Sequence, residues 1–266
     1  MAQFSLVLVI IFSIATDFAF AQRKKKEGCE RRYIVDMTDF APIVIRTKGK
    51  LTGIAPDLIS ALRSKTGCIF IESEFSLPEI ADKLVRGKSD IVLLAAKKSD
   101  IAATNFFVPL YTNTREIVVA KSVFVPNKTI NDYIDDPRIK FAHLIGAWST
   151  LDHEKETKLI KANRMIGIPG PEEAFGLLKE KRVQALLFTG IVNSYFIKKL
   201  EMENHSARVY DRTDKVEVGA ILSTRRMNDD ERRYMKLILD EIKADGTLLK
   251  ILTKYVSYED AKSRLK

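Results

Sequence analysis

The chain reads as an α/β protein of two doubly wound halves, on three observations. Asp90-Ile91-Val92-Leu93-Leu94-Ala95 is a continuous apolar run of strand length, the pattern of a parallel strand covered on both faces. The segments ahead of it alternate strand, helix, strand, helix, which predicts a parallel sheet with helices packed on it. The same alternation returns after residue 140.

In order, residues 32–36 form the first strand and 37–42 its loop, which carries Asp39 and Phe40. Leu58, Ile59 and Leu62 make one apolar helix face, with Pro56 in the first turn and Thr66-Gly67 as the stop. Residues 69–72 are strand two, and 79–85 are helix two, closed by Gly87. The apolar run is strand three. Lys97, Lys98, Ser99 and Asp100 follow Ala95 at its carboxyl end, where open α/β sheets bind ligands. Phe106, Phe107 and Tyr111 read as a short packing segment ahead of a strand at 116–120.

In the second half, 131–134 is a short helix and 140–145 a strand. The turn Gly146-Ala147-Trp148-Ser149-Thr150 opens a helix that runs to Leu159, with Ser149 and Thr150 as its caps or as ligand contacts. A strand at 165–168 leads to a helix whose first turn holds Pro171, Glu172 and Glu173, as the helix dipole prefers. A strand at 183–188, a helix at 189–199, a strand at 216–223 and an amphipathic helix at 229–243 complete the series.

Residues 4–14 supply an apolar core and Ala19-Phe20-Ala21 a small-x-small cleavage site, so residues 1–21 read as a secretory signal and 22–31 as a basic tail. The n-region lacks Lys and Arg, and Arg23 to Lys26 follow the site; an uncleaved anchor is the alternative. The net charge of +9 becomes +10 once the signal, whose only charge is Asp17, is removed. The basic residues are spread over helix faces, which argues against a nucleic-acid site. Two cysteines in an exported chain point to one disulfide, Cys29 with Cys68. If strands one and two are parallel neighbours, both cysteines fall at one sheet edge. Two thiols and three scattered histidines do not make metal spacing, and no cofactor is expected.

Several short motifs stand in a known order. Leu84 to Ile91 fits L-x-x-G-x-x-D-I, and Phe106 to Tyr111 fits F-x-x-P-x-Y. Gly53 precedes Asp57 and Leu58, with Ala55 where an acid is common. Asp245-Gly246 precedes an apolar stretch and Lys254-Tyr255. From about residue 32 to 255 the chain resembles the type II periplasmic solute-binding proteins, the class that includes the polar amino-acid binders. The resemblance implies a periplasmic binding protein-like II fold, two doubly wound α/β lobes joined by a two-strand hinge. Lobe 1 would be 32–117 with 218–266, and lobe 2 118–217. It also implies a periplasmic location and a monomer. The partners would be a small-molecule ligand and a membrane permease (an ABC transporter), a sensor or another periplasmic protein.

In that family an arginine after strand three takes the ligand carboxylate, and an aspartate after the last second-lobe strand takes the ammonium. Here the arginine's place falls near Asp100 or Ile101, and no Arg or Lys occurs between Ser99 and Val108. The aspartate's place is Thr189. An unpaired carboxylate in a closed cleft costs several kcal/mol, so a standard α-amino acid is an unsuitable solute. The cleft candidates are Phe40, Ala95, Lys97, Asp100, Trp148, Ser149, Thr150 and Thr189. Lys97 and Lys98 read equally as a solvated loop, Trp148 as filler between lobes, and Asp100 as a cap. The expected function is solute capture, not catalysis. An auxiliary interaction protein with a degenerate cleft, or a dehydratase-like enzyme, are the alternatives.

Overall fold

The parallel alternation becomes one end of a mixed sheet. In the computed structural model the residues described are 29, 31–38, 40–97, 100–145, 151–188 and 190–265. Residues 1–21 and the Arg23–Lys26 run lie outside them. Strands β1 (Arg32–Thr38), β4 (Ile69–Phe75) and β5 (Ile91–Ala96) are parallel, in the order β4-β1-β5. A small hairpin of β2 (Ile45–Thr47) and β3 (Lys50–Thr52) intervenes, and helices α1 (Ile54–Thr66) and α2 (Leu77–Val85) make the crossovers.

Local chemistry sets these helices. Ile54, Ala55, Leu58, Ile59 and Leu62 of α1 are buried, and Gly67 ends it in the left-handed conformation. Ser76 and Glu79 form a capping box that starts α2 two residues earlier than the sequence suggests, with proline in its first turn.

The second parallel set is β7 (Phe141–Leu144), β8 (Met165–Ile168) and β9 (Ala185–Leu187). Its crossovers are α5 (His153–Lys161) and α6 (Pro171–Lys179), and α7 (Gly190–Lys199) follows. A short helix, α4 (Ile130–Asp135), precedes the set. Two long antiparallel strands, β6 (Phe106–Ala120) and β10 (Ser206–Leu222), join the two sets in the order β4-β1-β5-β10-β6-β9-β7-β8. Helices α8 (Asp229–Ala244), α9 (Thr247–Leu252) and α10 (Tyr258–Arg264) close the chain, and α3 (Asp100–Ala103) is a single turn after β5. No helix among the described residues is long and apolar enough to cross a membrane.

Three expectations are corrected. The aromatic segment at 106–111 packs on the core as expected, but it is continuous with the following strand and forms the first part of β6. The returning strand begins at Ser206, ten residues before the expected start at 216. Polar residues such as Thr112, Asn113, Thr114 and Lys215 fall outside the expected strands, yet on a two-stranded ribbon their backbones complete a ladder while their side chains stand off it. Finally, α5 starts at His153, where Asp152 accepts the Lys155 N–H at 2.9 Å. Asp152 therefore takes the cap role that the sequence offers to Ser149 and Thr150.

Because β1 and β4 are parallel neighbours with Arg32 opposite Ile69, Cys29 and Cys68 meet at one edge and are bonded, with Cα atoms 5.2 Å apart. The main apolar cluster runs from Tyr33 and Leu58 through Tyr111 and Val218 to Phe175, Phe188 and Phe196. A second cluster, with Ile117, Val119, Tyr133, Phe141 and Leu159, fills the opposite face of the second set.

Candidate ligand cleft and hinge

The carboxyl ends of β1, β5, β7 and β9 are the places where side chains can converge. At the end of β1, Phe40 is half-buried against the main core, and its carbonyl accepts the Val44 N–H at 3.0 Å. Its ring is anchored by packing before any ligand is considered.

At the end of β5 the backbone is irregular. Leu94 is buried yet left-handed, with φ of 61°. A branched residue there costs about 1–2 kcal/mol. It sits where the β5–β10 register shifts, and beyond it Ala95 pairs with Gly219 and Ala96 with Val218. Ala95 itself is half-buried against the cluster of Ile80, Val92 and Ile221. Gly219 is required there, since a Cβ would lie 2.0 Å from the Val108 carbonyl oxygen.

Lys97 is tied twice to one hinge residue. Its N–H donates to the Glu217 carbonyl at 2.9 Å, and its ammonium pairs with the Glu217 carboxylate. It is more than half exposed. A lysine so engaged would have to leave Glu217 to serve a solute carboxylate. Asp100 opens α3 by its backbone, with its side chain outside the described residues. Lys98, Ser99, Trp148, Ser149, Thr150 and Thr189 also lie outside them, so the structure neither joins these candidates to Phe40 nor separates them from it.

On the second set, the Ile145 N–H donates to the Ile168 carbonyl at 3.0 Å, holding the end of β7 beside β8. His143, half-buried on β7, has its pKa lowered, chiefly by burial, and is neutral at pH 7. Past β9, Asn193 of α7 donates to the Phe188 carbonyl at 3.2 Å and to Glu116 Oε1 at 2.7 Å.

The hinge strands carry the charged residues that sequence reasoning missed. Glu116, 2 % exposed, accepts Arg208 in a fork, Nε at 3.1 Å and Nη2 at 2.7 Å. Arg115 pairs with Asp214 and borders a cavity of about 370 Å³ with Asn131, Leu151, Lys155, Tyr210 and Asp211. Arg264, on α10, is buried; it donates to Asn113 Oδ1 and to Ser194 Oγ, and pairs with Asp260 at 2.9 Å. The Asp260/Arg264 spacing of four is a helical ion-pair signal that the sequence does carry. Nothing in the sequence says that this pair faces the hinge.

Two of the sequence motifs turn out to meet. Tyr255 donates its hydroxyl to Asp57 Oδ2 at 2.9 Å and accepts the Gly53 N–H at 2.9 Å, and Lys254 pairs with the same carboxylate. The glycine–acid signature and the terminal basic–aromatic pair thus brace α1 against the C-terminal helices.

Two parallel three-strand sets, joined through two long antiparallel strands, define a two-part solute-binding fold of type II. The chain belongs to the bacterial extracellular solute-binding proteins, family 3, whose family model matches residues 33–258. A substrate-binding protein of an ABC uptake transporter from Streptococcus pneumoniae, with bound histidine, is 18% identical with a TM-score of 0.70, covering 84% of this chain and 92% of that one. The protein EhuB in complex with hydroxyectoine is also 18% identical with a TM-score of 0.66, covering 91% and 94%. An ancestral amino-acid-binding protein, a precursor of cyclohexadienyl dehydratase, is 23% identical with a TM-score of 0.68, covering 85% and 95%. A search of curated protein sequences finds no match.

Proposed function

We propose that this chain captures a small solute in a cleft between two lobes, 32–117 with 218–266 and 118–217, for a membrane transporter or sensor. Export by a cleaved signal at 1–21 into the periplasm belongs to the same reading. The solute is not a standard α-amino acid. The observation that carries this is Lys97. It directly follows the last residue of β5, and Glu217 already holds it by both backbone and side chain. Thr189 in place of the ammonium-binding acid supports the same conclusion from the sequence.

The lobe division is supported by the two long strands: residues 218–222 of β10 pair with β5, and 106–111 of β6 pair with that portion of β10, while 118–119 of β6 pair with β9. A binding role rather than catalysis is supported by the dispersal of the three histidines. His143 is on β7, His153 starts α5, and His205 lies in the turn before β10. Acid–base chemistry needs such groups gathered within hydrogen-bond reach of one substrate.

A thermal-shift screen of the purified protein tests the reading, because a solute that binds the folded state raises the melting temperature by mass action. A large shift with a standard amino acid overturns the solute assignment. Shifts confined to other small solutes support it. Silence across a broad panel, with a protein that co-purifies, overturns solute capture in favour of an auxiliary interaction role.

A further inference from the structure

A second cavity, of about 470 Å³, lies against the hinge ribbon and shares no lining residue with the cleft candidates. Its floor follows from strand geometry. Thr112, Thr114 and Glu116 alternate onto one face of β6, and Lys215 and Tyr210 stand opposite Thr114 and Glu116 on β10. Its other wall is α10, which presents Asp260, Ser263 and Arg264. Most of α10 lies past residue 258, where the family match ends. Every residue lining this cavity carries a polar group.

Charge decides what such a cavity holds. Arg208 is forked onto Glu116, and Arg264 is paired with Asp260, so these four cancel. Lys215 has no ion-pair partner among the described residues. The wall therefore keeps one uncompensated positive charge, flanked by the hydroxyls of Thr112, Thr114 and Ser263. The volume falls within the range of small-molecule sites. A cation is repelled there, and an apolar solute would strand the hydroxyls.

We propose that this cavity is a second binding site, for a small hydroxylated organic carboxylate, with Lys215 taking the carboxylate and the Thr and Ser hydroxyls its polar body. The site is built from both hinge strands and α10, so its occupant bridges the elements that any lobe movement would shear.

Isothermal titration of the full chain with sodium gluconate and sodium lactate tests this, with sorbitol as the uncharged control and inorganic phosphate as the competing anion. Saturable binding of a carboxylate, absent with sorbitol, is expected, and K215M should weaken it by about tenfold. Lys215 is exposed, so this variant keeps the fold; circular dichroism verifies it. The proposal is overturned if neither carboxylate binds, if K215M binds as the parent does, or if only phosphate binds.

Discussion

Tyr255 and Asp57, 198 positions apart, share a hydrogen bond of 2.9 Å, and the same hydroxyl accepts the Gly53 N–H. One side chain therefore satisfies a backbone donor at the start of α1 and a carboxylate in its first turn. Y255F should cost about 1–2 kcal/mol in urea unfolding, since the Gly53 N–H loses its partner and Asp57 keeps only Lys254. An unchanged midpoint would show that water replaces the hydroxyl without loss.

The same contact has a pH signature. Burial first, and then Asp57, raise the Tyr255 pKa above its ordinary value. A raised folded pKa means that the contribution is complete below the unfolded value, near pH 10, and is lost as pH climbs through the folded one. Tyr33 and Tyr111 are raised too, chiefly by burial. Stability should fall steeply above about pH 10, and less steeply in Y255F, as followed by denaturant midpoints across the alkaline range.

Reduction of Cys29–Cys68 releases a loop of sequence separation 39. The chain-entropy estimate for that length is about 4 kcal/mol. Thermal unfolding with and without reductant, and of C29S/C68S, should show a matching loss. Equal melting temperatures would mean that β1 and β4 hold this edge unaided.

Two glycines near the hinge should respond differently to alanine. At Gly219 the new Cβ meets the Val108 backbone carbonyl at 2.0 Å, which cannot move without breaking the ribbon. At Gly190 it meets the Arg264 guanidinium at 2.6 Å, a side-chain end that can give way, though at the expense of its contacts to Asn113 and Ser194. G219A should cost roughly 2–3 kcal/mol and G190A about 1 kcal/mol, by chemical denaturation. The reverse order would contradict the packing described.

Removing one partner of a buried ion pair strands the other. R208M leaves Glu116, 2 % exposed, with Asn193 as its remaining donor, and should cost roughly 3 kcal/mol. The double variant R208M/E116Q should recover part of that loss. A double-mutant cycle with no coupling would mean that Glu116 finds water instead.

Much of the frame is legible in the sequence. The apolar run at 90–95 became β5, residues 165–168 became β8 without change, and Pro171 with its acids marked α6. These signals are local: a buried strand must be apolar, and a helix start needs particular residues within one turn. The hinge ribbon was only half legible. Its polar middle stays extended because each strand satisfies the other's backbone, a partnership between segments about a hundred residues apart.

By itself the sequence determined the two α/β halves and pointed to one disulfide, whose sheet edge the pairing of β1 with β4 then settled. Only the tertiary structure decided what the charged side chains do. Lys97, legible as a ligand donor or a solvated loop residue, is held by Glu217. The motif residues Gly53, Asp57 and Tyr255 brace one another, and Arg264 lies buried at the hinge. Apolar periodicity reports burial, which is read along one chain. A charge is defined by its partner, and here the partners were placed by strand crossovers and by a terminal helix that no local pattern ties to the hinge.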